Sequence, residues 1–177
     1  HPQPQLRVCD SPEMQPVWDA VNREKLAIVY DIGGVGHRAW QLDQFAKLSD
    51  KMPDTPVLIE HFGGMNSTLY GVPWAMNRFD ELIGLAKRDN VFLGITGVSL
   101  GLRQPDGGYQ LAWEALKRAF NVVGSEKLIW GSDIPGTLRI QTYEQMIEWV
   151  EQAPFMSETD KDHIFALNSQ VFLNALQ

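Results

Sequence analysis

Lys127-Leu128-Ile129-Trp130-Gly131-Ser132-Asp133-Ile134-Pro135 sets an apolar run, a glycine, a carboxylate and a proline end to end. Leu128, Ile129 and Trp130 show no polar alternation. A strand covered on both faces reads this way, as in a parallel sheet flanked by helices. The carboxylate follows the run at once, which places Asp133 at the strand's C-terminal end.

The pattern recurs upstream. Residues 26–30 are apolar and lead into Asp31-Ile32-Gly33-Gly34. Residues 56–59 lead into Glu60-His61-Phe62-Gly63-Gly64, and residues 90–95 into Thr96-Gly97-Val98-Ser99. Amphipathic stretches separate these strands. Helices are expected over 14–23 (Val17, Trp18 and Val21 on one face), 38–51 (Leu42, Phe45, Ala46, Leu48) and 77–87 (Phe79, Leu82, Ile83, Leu85). Further helices are expected over 109–123, 142–152 and from Ser157 onward. Ser157 is a good N-cap with an acid three residues on, and Asn168 marks a place where the last helix restarts or bends. Leu6-Arg7-Val8 reads as a short strand remnant.

Parallel strands joined by right-handed crossovers satisfy this order. Two architectures fit: an open doubly wound sheet, or part of a (β/α)8 barrel. A closed barrel usually takes about 250 residues, and this chain has 177. An incomplete barrel leaves open strand edges, which predicts a homo-oligomer or a complementing N-terminal segment.

Composition narrows the function. With 44% apolar residues the chain can build one core, and residues 1–177 are read as a single domain. The net charge is −7, without a Lys/Arg cluster, which argues against nucleic acid or an anionic membrane as partner. No apolar run nears the ~20 residues needed to span a bilayer, and the cytoplasm is the expected compartment. The lone Cys9 reads as a small buried hydrophobe.

In parallel sheets the chemistry lies at the C-terminal strand ends. Asp31, His61, the Thr96/Ser99 hydroxyls and Asp133 all follow strands. Each residue alone also suits a turn or loop hydrogen bond. Imidazole and carboxylate together suit a divalent metal, zinc or manganese, which would acidify water and polarise a carbonyl. An aspartate can instead take the proton from that water itself.

Pro56 to Gly64, with His61-Phe62-Gly63-Gly64 at its end, resembles the sixth-strand H-x-GG motif of the amidohydrolase-2 branch of the amidohydrolase superfamily. Residues 90–99 resemble its seventh strand. Gly131-Ser132-Asp133-Ile134-Pro135 is similar to its eighth-strand GSD-x-P, and Asn168 to Leu173 to its terminal helix. The resemblance covers nearly the whole chain. It implies a TIM-type parallel (β/α) barrel, present from about the fourth strand to the eighth. It also implies a lactonase-like hydrolase, or a decarboxylase, acting on carboxylated substrates. His61 and Asp133 would be the catalytic and metal-binding residues. Asp31 stands where many members carry a metal-binding histidine. The first-strand His-x-His has no counterpart here, and some lactonases of this branch use no metal, so a metal-free site fits as well. Arg103 and Arg139, after the last two complete strands, would clamp the substrate carboxylate, with Tyr30, Asp31 and Ser99 beside it. Trp74 and Tyr70, in the long loop after His61, suit an apolar lid and core or surface packing equally. Two other readings compete: a non-catalytic fragment or split-chain subunit, and a phosphate loop at Gly33-Gly34-Val35-Gly36.

Overall fold

The computed structural model describes residues 8–174. Leu6 and Arg7 of the expected first strand lie outside these residues, and Val8 is not in a strand. Four parallel strands form one sheet in the order β1 (Ile28–Tyr30), β2 (Val57–Ile59), β3 (Val91–Gly94), β4 (Leu128–Ile129). Each neighbouring pair is parallel, with Tyr30 opposite Ile59, Ile59 opposite Leu93, and Gly94 opposite Ile129. Helices α1 (Gln15–Arg23), α2 (Leu42–Asp50), α3 (Pro73–Leu85) and α5 (Gln110–Val123) alternate with the strands. A short α4 (Val98–Gly101) follows β3 directly, and α6 (Tyr143–Glu151), α7 (Glu158–Asp162) and α8 (Asn168–Asn174) end the described chain.

Alternation along each strand divides the sheet into two faces. Val57, Ile59, Val91, Leu93 and Leu128 pack with the helices in the large core, around the fully buried Phe45, Phe79 and Leu82. Leu58, Phe92 and Ile129 point the other way. They form a second cluster with Phe172 of α8, whose ring meets Phe92 edge-on at 5.8 Å. Lys127 Nζ sits 4.8 Å from the Phe92 centroid and donates to the Arg88 and Asp89 carbonyls, capping this cluster. β1 lies at the edge of the sheet. Its Val29 is 61% exposed, although the strand's sequence suits cover on both faces.

Two helix starts differ from the sequence reading. Pro73 opens α3 four residues before the expected 77, because proline is preorganised for the first helical turn. α2 begins at Leu42 rather than 38, because residues 33–41 form a glycine-rich loop that hydrogen-bonds itself (Gln41 N–H to Ile32 O, Trp40 N–H to His37 O).

The C-terminal helices follow the caps seen in the sequence. Ser157 Oγ accepts from the Asp160 N–H, and Asp160 accepts from the Ser157 N–H and hydroxyl, a complete capping box. Residues His163–Leu167 widen into one π-helical turn. Asn168 re-forms the α-helix there, with its amide donating to the Ser125 and Leu128 carbonyls at 2.7 Å each. The Ser157 hydroxyl bond, helped by the Ser157 N–H, holds the Asp160 carboxyl below its ordinary value of 3.8. A depressed carboxylate stabilises the fold above its unfolded pKa and loses that effect as pH falls through the folded one. Ser157→Ala should therefore cost about 1 kcal/mol near pH 7, lowering Tm by about 3 °C. Thermal melts from pH 7 down to about 3 should show this gap shrinking as Asp160 protonates.

Candidate active-site rim

The four strands deliver their polar residues to one rim. At the exit of β1, Asp31 Oδ1 accepts the Gly33 N–H at 2.9 Å, an Asx turn with Asp31 exposed. Gly33 has φ +82°, and a Cβ there would lie 2.7 Å from the Ala39 backbone. Tyr30 is on the helix side of the sheet. Its ring stacks on Phe45 at 4.6 Å, and burial, reinforced by the Cys9 thiol beside it, pushes its phenol well above the ordinary value. The expected substrate contact by Tyr30 is therefore not formed at this rim: Tyr30 has the parity of Ile28, which also faces the helices. Cys9 is buried, and burial likewise raises its thiol.

The exit of β2 is the most constrained part of the rim. His61, Phe62, Gly63 and Gly64 have φ of 61, 46, 59 and 61°, one left-handed turn after the strand. For the two residues carrying a Cβ this costs about 1–2 kcal/mol each, so neighbours must hold it in place. Phe62 is fully buried and packs on Phe79 with centroids 5.4 Å apart. Val35 N–H donates to Gly63 O at 2.7 Å. His61 Nδ1 lies 3.1 Å from the Thr96 carbonyl oxygen. A carbonyl only accepts, so Nδ1 carries the hydrogen and Nε2 is left to face a ligand or a proton. The sequence marks Thr96 as one of a pair of hydroxyl residues after a strand, and it is its backbone carbonyl that orients the imidazole.

At the exit of β3, Ser99 is buried and its hydroxyl pairs with Gln141 Oε1 at 3.3 Å. It ties α4 to the loop after β4 and is not open to a substrate. Gly131 leaves room for Thr96, since a Cβ at Gly131 would lie 2.5 Å from Thr96 Oγ1.

At the exit of β4, Asp133 also has a positive φ, 54°. Thr137 holds this turn: its hydroxyl donates to the Ser132 oxygen at 2.7 Å and shares the Asp133 oxygen at 3.1 Å. The Asp133 carboxylate is exposed and has no hydrogen bond or ion pair among the described residues. Among the described residues four non-glycine residues have positive φ: His61 and Asp133, Phe62 beside His61, and Lys25 elsewhere. Strain of this sort collects at functional positions. β2 and β4 flank β3, so their axes stand about 10 Å apart, a span suited to a small cyclic ligand.

Around this rim, Arg103 and Arg139 are exposed and have no ionic partner among the described residues. Arg139 lines a shallow groove of about 390 Å³ with Leu138, Ile140, Gln141 and Tyr143. Arg78, by contrast, is occupied by Asp43 and Glu81. Trp74 is 50% exposed and its ring edge covers Gly36, joining the loop after β1 to the first turn of α3. That cover lies over the glycines considered as a phosphate loop.

Among the described residues no three His, Cys, Asp or Glu side chains converge as metal ligands. His61, Asp133 and Asp31 therefore do not form a three-ligand site, and a catalytic zinc takes three protein ligands. These residues alone do not fit a metal ion. No helix among the described residues is long and apolar enough to cross a membrane.

The amidohydrolase family model (Amidohydro_2) matches residues 1–174. A comparison with curated proteins gives no match. Among solved structures, an amidohydrolase from Burkholderia multivorans with bound zinc is similar at 17% identity and a TM-score of 0.75, covering 93% of this chain and 58% of that one. A Pseudomonas putida protein, provisionally assigned as a 2-pyrone-4,6-dicarboxylic acid hydrolase, is similar at 18% identity and 0.73, covering 97% and 60%. The 5-carboxyvanillate decarboxylase from Sphingomonas paucimobilis is similar at 15% identity and 0.64, covering 97% and 56%. At these identities the likeness shows the fold, a partial (β/α) barrel. The chain spans less than two thirds of the length of each of these proteins.

Proposed function

This chain belongs to the amidohydrolase family, and from that premise we propose that its rim hydrolyses a carboxylated lactone or a similar cyclic carbonyl compound. The observation that carries the reading is the pairing of an oriented imidazole with an unpartnered carboxylate across the rim. His61 is fixed through Nδ1 with Nε2 free, and Asp133 is open to solvent on a strained turn. Asp133 takes a proton from the attacking water. The water oxygen bonds to the ring carbonyl carbon as the ring C–O bond breaks, and the proton taken by Asp133 passes to the released oxygen through the free Nε2 of His61. Arg103 and Arg139 hold the substrate carboxylate at the rim. The family is typically metal-dependent and one similar structure holds zinc. The described residues do not fit a metal ion, so no step here runs through one.

A decarboxylase is the second reading, favoured by the similarity to 5-carboxyvanillate decarboxylase. Product analysis separates the two. Incubation with a carboxylated lactone that also carries free hydroxyls, such as glucaro-1,4-lactone, should yield the ring-opened acid with all carbons retained. Release of CO2 from a hydroxylated aromatic acid, with lactones left intact, would overturn the hydrolase in favour of the decarboxylase.

The position of β1 at the end of the sheet, with Val29 exposed on the inner face beside Leu58, supports a further part of the proposal. More strands cover that edge, supplied by a complementing N-terminal segment or by a second copy.

A further inference from the structure

Glu60 is the last residue of β2's line before His61, and its parity matches Leu58, so it faces the inner side of the sheet rather than the helices. The strand register brings Glu60 beside Gly94, and Gly94 beside Ile129. Gly94 is needed there. A Cβ would collide with the Glu60 carboxylate, whose Cδ lies 2.8 Å from the Cβ position. The carboxylate is thus lodged in a notch of β3, with the apolar Ile129 on the next strand.

Its backbone is fully engaged: the Glu60 N–H donates to Tyr30 O at 3.1 Å and its carbonyl accepts from Gly63 at 3.2 Å. The side chain is not. Glu60 Oε2 is buried and has no hydrogen-bond partner among the described residues. Burying an acceptor unpaired is unfavourable, more so for a charged group. The other such atom among the described residues, Trp40 Nε1, belongs to a ring that packs on Gly63 and so toward the helix layer. A carboxylate held without a partner, one residue from the oriented His61, is a group waiting for a donor.

We propose that Glu60 is a specificity residue that accepts a hydrogen bond from a hydroxyl of the ligand, so that the site selects carboxylated compounds that also carry a free hydroxyl. This rests on the reading of the rim as a ligand site. The two ends of the ligand are sorted by charge. A carboxylate is repelled by Glu60 and drawn to Arg103 and Arg139, which leaves the donor end to enter the notch. A ligand without the hydroxyl would leave the buried Glu60 Oε2 unpaired, and sites of this kind discriminate strongly.

The test compares the full chain with Glu60→Met, which keeps the length and volume of the side chain. The first readout needs no ligand. A group kept for a ligand at the expense of the fold should raise Tm when replaced, here by about 3 °C. A fall in Tm would mean that Glu60 has a structural partner and would overturn the proposal. The second readout is calorimetric binding of 3-hydroxybenzoate and 4-hydroxybenzoate against benzoate. The unaltered chain should bind one hydroxylated probe at least about tenfold more tightly, and Glu60→Met should bring the ratio near one. An equal ratio in both proteins, or no binding of any probe, would also overturn it. Absence of lactone turnover with the preference intact would sink the hydrolase reading and leave this one standing.

Discussion

Gly64→Ala should lower Tm by about 10 °C. Two separate costs add at this position. The residue closes the left-handed turn with φ +61°, a region that charges alanine about 1–2 kcal/mol. A Cβ would also lie 2.8 Å from the Gly34 Cα. That neighbour is backbone and cannot rotate away, and overpacking of this kind costs about 1–3 kcal/mol. Gly63→Ala has a similar φ, but its closest neighbours are the side chains of Trp40 and Leu82, which have some freedom to shift. The expected order of damage is therefore Gly64 ahead of Gly63. Melting curves of the two variants check it. Equal or negligible shifts would mean that the turn after β2 is built differently.

Asp133→Asn should reduce kcat/KM for lactone opening by about 10²–10⁴-fold, the usual contribution of a positioned general base. The fold should be untouched, because the Asp133 turn is held through its backbone oxygen by Thr137 and not through its carboxylate. Tm should stay within about 1 °C, since surface substitutions rarely move stability further. The amide keeps the shape and loses only the ability to take a proton. A kcat/KM within threefold of the unaltered chain would remove Asp133 from the mechanism.

The strands and their polar exits were legible in the sequence because a buried parallel strand is a short apolar run and its exit is where glycine and polar residues begin. Ser157, with an acid three residues on, marked its cap, and Asn168 its bend. The directions of side chains were harder. Tyr30 follows an apolar run as closely as Asp31 does, and only the two-fold alternation with Ile28 sends it to the helix layer and onto Phe45. The same alternation, applied to Leu58, would have placed Glu60 inside. His61 was legible as a strand-end residue, but its left-handed backbone was not. Positive φ at a histidine and a phenylalanine has no local signal. It is imposed by the buried Phe62 ring and by the Thr96 carbonyl, partners far along the chain. Ser99 looked like a rim hydroxyl because nothing near it in sequence announces Gln141, 42 residues away.

The most direct test of the central claim is a crystal structure of the protein soaked with glucaro-1,4-lactone, a carboxylated lactone that carries free hydroxyls. The account predicts the ring between His61 Nε2 and the Asp133 carboxylate, with one substrate carboxylate on Arg103 or Arg139. Density for the ligand elsewhere, with His61 and Asp133 facing only solvent, would contradict it.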